Sequence, residues 1–130
     1  MARSRRRYNA AVPPVLLVED DDVIRESVRD LLEMEGFQVI TAGNGRDALD
    51  MLAAERLPCL VLLDLYMPLM DGWQFLAAIE GIEAFARLEV VIFSAANDRS
   101  GGIGARKVLR KPVNMSQLLA TVEQACKRTP

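Results

Sequence analysis

The feature that most constrains the fold is a set of four short apolar runs, each leading to a charged or hydroxyl-bearing residue. The runs are Val15–Val18, Leu60–Leu63, Val90–Phe93 and Val108–Leu109. Runs of about four apolar residues separated by helix-like stretches are typical of strands buried on both faces of a parallel sheet. The sequence therefore predicts an α/β domain.

Residues with reactive side chains follow these runs in a consistent way. Glu19 and Asp20 follow the first run, Asp64 the second and Ser94 the third, and Lys111 comes shortly after the fourth. Ligands bind at the carboxyl ends of the strands in such sheets, so these side chains should meet at one edge. Carboxylates without histidine suit Mg²⁺, and an added lysine and hydroxyl suit a phosphoryl group.

Strand and helix patterns alternate about five times along the chain. Beyond the runs above, the pattern predicts a strand at Phe37–Ala42 and extends the second run to Cys59–Leu63. Helical spacing of apolar residues predicts helices over Asp22–Met34, around Ala48–Ala53, from Trp73, and after an N-cap at Asn114. The alternation predicts a parallel sheet with helices on both faces.

Charge is distributed unevenly over the 130 residues. Residues 1–13 carry four arginines and no acid, so the net charge of −2 leaves −6 on the remainder. We interpret 1–13 as a basic disordered leader and 14–128 as one domain, which is too acidic to suggest a nucleic-acid partner. The sequence has neither a signal peptide nor an apolar stretch of membrane-spanning length, and this predicts a cytoplasmic protein.

The two cysteines and the absence of histidine narrow the chemistry. Without histidine the chain cannot use a catalytic triad, a histidine zinc site or an imidazole base. Cys59 and Cys126 do not have a metal-binding spacing. We expect both to be inert buried thiols and expect no disulfide between them in a reducing compartment.

These motifs together resemble the receiver domain of two-component response regulators. The resemblance covers about residues 15–127 and rests on Glu19-Asp20, on Asp64 to Gly72, on Ser94-Ala95 and on Lys111-Pro112. It implies a flavodoxin-like, doubly wound five-stranded sheet of order 2-1-3-4-5. It also implies a stand-alone signalling module rather than an enzyme; a receiver within a longer regulator or hybrid kinase is the alternative.

The resemblance also implies roles for the site residues. Asp64 would accept a phosphoryl group from a histidine kinase or histidine phosphotransfer protein and then switch the binding of a downstream protein. Glu19, Asp20, Asp64 and the backbone carbonyl of Tyr66 would hold Mg²⁺, with Mn²⁺ as an alternative. Lys111, after which a cis proline bond is implied, and Ser94 would contact the phosphoryl oxygens. We expect no membrane partner and no organic cofactor.

Two departures from the family concern its output. The switch position, usually an aromatic three residues before the lysine, is Val108, and only sixteen residues separate Ser94 from Lys111. Three glycines in that segment oppose a helix. We therefore expect the fourth helix of the family to be shortened or absent, with Asn97–Ala105 a mobile loop or a single turn.

Less specific interpretations remain for several residues. Asp21 and Asp22 are expected to cap a helix or lie in its first turn, Gly72 to supply an unusual φ angle, and Trp73 to pack. A phosphohydrolase with an aspartyl-phosphate intermediate would carry a second Asp where this chain has Tyr66. An adaptor that has lost phosphorylation would lack an acceptor, an acid or the lysine, and all of these are present.

Overall fold

The protein is described by a computed structural model covering residues 12–54, 56–95 and 106–126, without the side chain of Ser94. Five parallel strands form one sheet in the order β2-β1-β3-β4-β5. The strands are β1 (Val15–Val18), β2 (Val39–Ala42), β3 (Leu60–Asp64), β4 (Val90–Ala95) and β5 (Lys107–Lys111). The predicted doubly wound, flavodoxin-like order is confirmed.

Four α-helices and one 3₁₀ turn accompany the strands in the described residues. They are α1 (Asp22–Met34), α2 (Gly45–Ala54), α3 (Gly72–Glu80), the 3₁₀ turn Glu83–Phe85, and α4 (Met115–Ala125). Asp21 and Asn114 cap α1 and α4 through side chains that accept from Ile24 and Gln117, as their positions predicted. The predicted mobile segment Asn97–Ala105 and most of the predicted leader lie outside the described residues.

Side chains of the central strands alternate between two buried clusters. On one face, β1, β3 and β4 pack against α1 and α4 through residues such as Leu62, Val28 and Leu118. On the other face they pack against α2 and α3 through residues such as Leu63 and Phe75. Burial on both faces explains why the central strands read as unbroken apolar runs. In the described ranges no helix combines the length and apolarity needed to cross a bilayer.

The strand and helix bounds differ from expectation mainly where pairing overrides the apolar pattern. β5 spans Lys107–Lys111 rather than two residues, because β4 pairs with it from Val91 to Ala95. Asp64 is the last residue of β3 rather than the first of a loop, since it pairs with Phe93. The helix α2 begins at Gly45, three residues before Ala48, where the apolar pattern begins.

The expectation of two inert thiols is wrong, because Cys59 and Cys126 form a disulfide with a Cα–Cα distance of 5.2 Å. Cys59 directly precedes β3. In a parallel sheet each helix returns the chain to the amino ends of the strands. The C-terminal end of α4, where Cys126 lies, therefore meets the start of β3 at the amino edge of the sheet.

Candidate functional site

Three acids predicted from the strand ends converge at the carboxyl edge of the sheet. β1 and β3 are neighbours with Val18 opposite Leu63, so Glu19 comes to lie beside Asp64. Glu19, Asp20 and Asp64 each present a carboxylate oxygen within 4.8 Å of the others. We call these three residues the acidic cluster.

Members of the acidic cluster differ sharply in exposure. Glu19 and Asp64 are 1% and 5% exposed, whereas Asp20 is exposed. A buried carboxylate is costly unless a positive charge or hydrogen-bond donors compensate it. The two buried members therefore need a positive charge or hydrogen-bond donors beside them.

Lys111 supplies a positive charge from the end of β5. Its Nζ lies 2.9 Å from Glu19 Oε1 and 3.4 Å from Asp64 Oδ1. Cis geometry at the following Lys111–Pro112 bond agrees with the resemblance. The lysine predicted to contact a phosphoryl group thus lies between the two buried carboxylates.

The pKa of Asp64 is raised by its burial and by the neighbouring negative charge. Burial first, and then the negative charge of Glu19, raise the pKa of Asp64 from 3.8 to about 6, although Lys111 and the Tyr66 amide oppose this. Burial lowers the pKa of Lys111, but its hydrogen bond to Glu19 and the negative charges of Asp64 and Glu19 outweigh that effect and raise it. Lys111 therefore stays charged, whereas Asp64 is ionised at neutral pH but takes up a proton near pH 6.

Arg25 is a site residue that the sequence argument missed. Its Nη1 donates to the backbone carbonyl of Glu19 at 3.0 Å and approaches that of Asp20 at 3.5 Å. The Asp21 amide also donates to Glu19 Oε2 at 3.1 Å. These contacts orient the β1–α1 connection that carries both acids. The sequence did contain a signal for this role, because Arg25 is a basic residue near the start of the helix that follows the acidic triplet Glu19–Asp21.

The loop from β3 to α3 forms the rim on the other side of Asp64. The Tyr66 amide donates to Asp64 Oδ1 at 3.4 Å. Its ring, in a residue that is 57% exposed, meets Trp73 edge-on with centroids 5.0 Å apart. Leu69 in the same loop is 82% exposed and has φ of 67°, a conformation that disfavours leucine. The role of the Tyr66 carbonyl as a metal ligand stays a prediction.

Gly72 is required for a different reason than the one expected from sequence. The glycine of the described residues with a positive φ is Gly36, at the end of α1, so the expectation of an unusual φ at Gly72 is wrong. A Cβ at Gly72 would lie 2.7 Å from both the Asp64 carbonyl oxygen and the Leu65 Cα. Glycine here lets the start of α3 pack against the backbone that carries Asp64.

Ser94 lies near the end of β4, opposite Arg110 of β5, at the same edge of the sheet. Its side chain lies outside the described part of the chain, so its contact with a phosphoryl group stays a prediction. Val108 is part of β5 and is partly buried against the α2–α3 face, with no ring at this position.

The site and the sheet order match a known family. The model of the response regulator receiver domain matches residues 15–123. This chain belongs to the response regulator receiver domain family. Receiver domains are signalling modules of two-component systems that interact with histidine kinases and downstream effectors.

Relatives of this receiver domain occur in proteins of different lengths. It is 34% identical over 118 residues to the response regulator MprA of Mycolicibacterium vanbaalenii, covering 88% of this chain and 51% of that protein. The chain thus spans about half the length of the MprA relatives that it matches. It is 32% identical to an uncharacterized 14.6 kDa protein in the sodA1 3′ region of Leptolyngbya boryana, covering 89% of this chain and 92% of that one.

A solved structure agrees with the sequence comparisons. The crystal structure of a response regulator receiver protein from Pseudomonas putida superposes with a TM-score of 0.79 at 28% identity. The superposition covers 89% of this chain and 99% of that one.

Proposed function

We propose that Asp64 accepts a phosphoryl group, in the presence of Mg²⁺, from the phosphohistidine of a cytoplasmic histidine kinase or phosphotransfer protein. Phosphorylation then changes the affinity of the domain for a downstream protein. The observation that carries the proposal is the position of the Lys111 ammonium, 2.9 Å from Glu19 and 3.4 Å from Asp64. A charged lysine between two buried carboxylates at a strand edge suits an incoming phosphoryl group.

The proposed transfer is an in-line displacement at phosphorus. An oxygen of the ionised Asp64 carboxylate attacks the phosphorus, the bond from phosphorus to the donor imidazole breaks, and the imidazole nitrogen keeps the electron pair. The product on Asp64 is an acyl phosphate. Lys111 is close enough to move from Asp64 to one of the new phosphoryl oxygens while keeping its hydrogen bond to Glu19.

The acidic cluster has the chemistry that a magnesium ion requires. All of its donors are carboxylate oxygens, and they lie within 4.8 Å of one another. Mg²⁺ prefers oxygen ligands, retains waters and is bound by few carboxylates, and Mn²⁺ fits the same donor set. Glu19, Asp20, Asp64 and the Tyr66 carbonyl would hold it, and when bound it neutralises charge on the carboxylates and on the phosphoryl oxygens.

An apolar groove adjoins the site and suits the donor protein. The groove, with a volume of about 250 Å³, lies between α1 and the loop after β5, and Lys111 is one of its lining residues. Val23 and Met115 border it and are 76% and 44% exposed. Because the groove shares Lys111 with the site, a helix of the phosphohistidine protein seated there would hold its imidazole near Asp64.

Phosphorylation by a small donor tests the acceptor. Incubation with phosphoramidate and Mg²⁺ should add one base-labile phosphoryl group to the wild-type protein, as measured by intact mass. Asp64→Asn should add none, whereas Asp30→Asn, which changes an exposed acid of α1, should react like the wild type. Equal labelling of Asp64→Asn would refute the assignment.

Comparison of small and protein donors tests the groove. Val23→Asp should slow transfer from an autophosphorylated histidine kinase at least roughly tenfold, because it places a charge in an apolar contact. The same variant should react with phosphoramidate at the wild-type rate. Equal slowing with both donors would show that the substitution damages the site instead.

A further inference from the structure

A second chemically reactive pair lies at the opposite edge of the sheet from Asp64. Cys59 directly precedes β3, whereas Asp64 is the last residue of that strand, so the two ends are roughly 15 Å apart. The disulfide from Cys59 to Cys126 connects β3 to the end of α4 across 67 positions of sequence. The closed segment contains both Asp64 and Lys111.

We propose that Cys59 and Cys126 are a reversible thiol–disulfide site that responds to low-molecular-weight thiols and disulfides and controls how firmly the end of α4 is held. Three observations carry it: the pair is bonded, both cysteines line a cavity, and α4 connects the Lys111 loop to Cys126. The proposal is independent of phosphorylation at Asp64.

The surroundings of the pair allow a small reagent to approach. In the described part of the chain, a cavity of about 640 Å³ is lined by both cysteines and by the polar residues Glu89, Lys107 and Gln124. Cys126 is 2% exposed, whereas Cys59 is only partly buried. Cys59 is therefore the sulfur that an incoming thiolate reaches first.

The reaction balances as two thiol–disulfide exchanges. In the reducing direction, a glutathione thiolate attacks the Cys59 sulfur, the bond to Cys126 breaks, and Cys126 leaves as a thiolate that takes up a proton. A second glutathione thiolate attacks the mixed disulfide, releases the Cys59 thiolate and forms glutathione disulfide. Oxidation is the reverse, with glutathione disulfide as the two-electron oxidant.

The structural consequence falls on α4. The helix begins three residues after Pro112 and ends immediately before Cys126, so the disulfide and the Lys111 loop hold its two ends. Reduction removes the covalent tie at one end, leaving burial of Leu118, Val122 and Cys126 to hold the helix. Opening of the last turn should therefore become more frequent, while the centre of the sheet keeps its packing.

Redox titration of the whole protein is the first test. Oxidised and fully reduced samples are equilibrated separately at a series of glutathione to glutathione disulfide ratios, quenched with acid, alkylated and weighed. Both starting states should converge on one reversible transition between disulfide and dithiol. The proposal is overturned if the thiols stay free at every ratio, or if the disulfide does not re-form under native conditions.

Amide hydrogen exchange in the two redox states is the second test. Reduction should speed exchange at Thr121–Cys126 roughly tenfold and leave the amides of β1 and β3 unchanged. Cys126→Ser should exchange rapidly at every glutathione ratio. Equal exchange of α4 in the oxidised and reduced wild-type protein would overturn the coupling, and this comparison requires no variant to fold.

Discussion

Replacing Asp64 by asparagine should stabilise the metal-free protein, although it removes the central residue of the proposed site. Asp64 is 5% exposed, and burial together with Glu19 raises its pKa from 3.8 to about 6. At neutral pH the folded protein therefore holds an ionised carboxylate where the neutral form is favoured. Asparagine has nearly the same shape and no charge to desolvate.

The magnitude follows from this pKa. Each pKa unit corresponds to about 1.36 kcal/mol, so a rise from 3.8 to about 6 is an upper limit of about 3 kcal/mol above pH 7. Solvent at the exposed Asp20 screens the charges, and asparagine gives up the charge attraction to Lys111, whose Nζ lies 3.4 Å from Asp64. We expect the variant to be more stable by about 1–2 kcal/mol, which is a rise of roughly 4–8 °C in Tm.

The effect has a defined pH dependence. The carboxyl pKa is higher in the folded than in the unfolded protein, so the stability it contributes is fully present below 3.8 and is lost as the pH rises through about 6. The wild-type protein and the Asp64→Asn variant should therefore differ most above pH 7. The difference should narrow below pH 6 and vanish near pH 3.8.

Thermal unfolding in EDTA between pH 4 and 8 measures this difference, with Asp30→Asn as a control for loss of an exposed acid. Saturating Mg²⁺ should reverse the order, because the ion stabilises the wild-type fold in proportion to its occupancy. A lower Tm for Asp64→Asn in EDTA at pH 7.5, or a difference that does not change with pH, would refute a crowded acidic site.

Further substitutions test the supports of the site. Arg25→Gln should weaken Mg²⁺ affinity about tenfold, as measured by titration calorimetry, because it releases the backbone carbonyls of Glu19 and Asp20. Arg25→Lys should weaken the affinity less. Unchanged affinity in Arg25→Gln would contradict the positioning role. Gly72→Ala should lower the free energy of unfolding by about 2–3 kcal/mol, because the added Cβ would overlap the backbone at the end of β3. Gly81→Ala is the control: its Cβ would meet nothing within 4 Å, so the free energy of unfolding should change by under about 0.5 kcal/mol. Leu69→Asn should raise the free energy of unfolding by about 0.5–1 kcal/mol, because asparagine tolerates the left-handed backbone better than leucine. An equal gain in Leu57→Asn would show that the effect comes from removing an exposed apolar side chain instead.

The strand β1 and the helix α1 were predicted closely from sequence. The bounds of β1 and α1 agree with the predictions, because burial on both faces produces an unbroken apolar run and a capped amphipathic helix has a marked start. β5 was predicted less well, since its alternating charged residues form a strand only by pairing with β4. Its extent was not recognisable from local pattern.

The acidic cluster and its lysine could be predicted because the rule for their positions is general. Carboxyl ends of parallel strands meet at one edge, so Glu19, Asp20, Asp64 and Lys111 had to lie near one another once the sheet order was known. Their unequal burial, and the pKa of Asp64 that burial and the charge of Glu19 raise, depend on how the neighbouring elements pack. The burial of each acid and the pKa of Asp64 could not be predicted from the sequence and required the three-dimensional structure.

The sequence by itself determined the strand–helix alternation, the order of the site residues and the family to which they point. Only the tertiary structure decided that Cys59 and Cys126 are bonded, that Arg25 holds the acid pair, and that Gly72 is needed for close packing rather than for its φ angle. The physical reason is the range of the interactions. Apolar periodicity and capping act within one element, whereas a bond or a close contact between distant residues depends on the packing of several elements together.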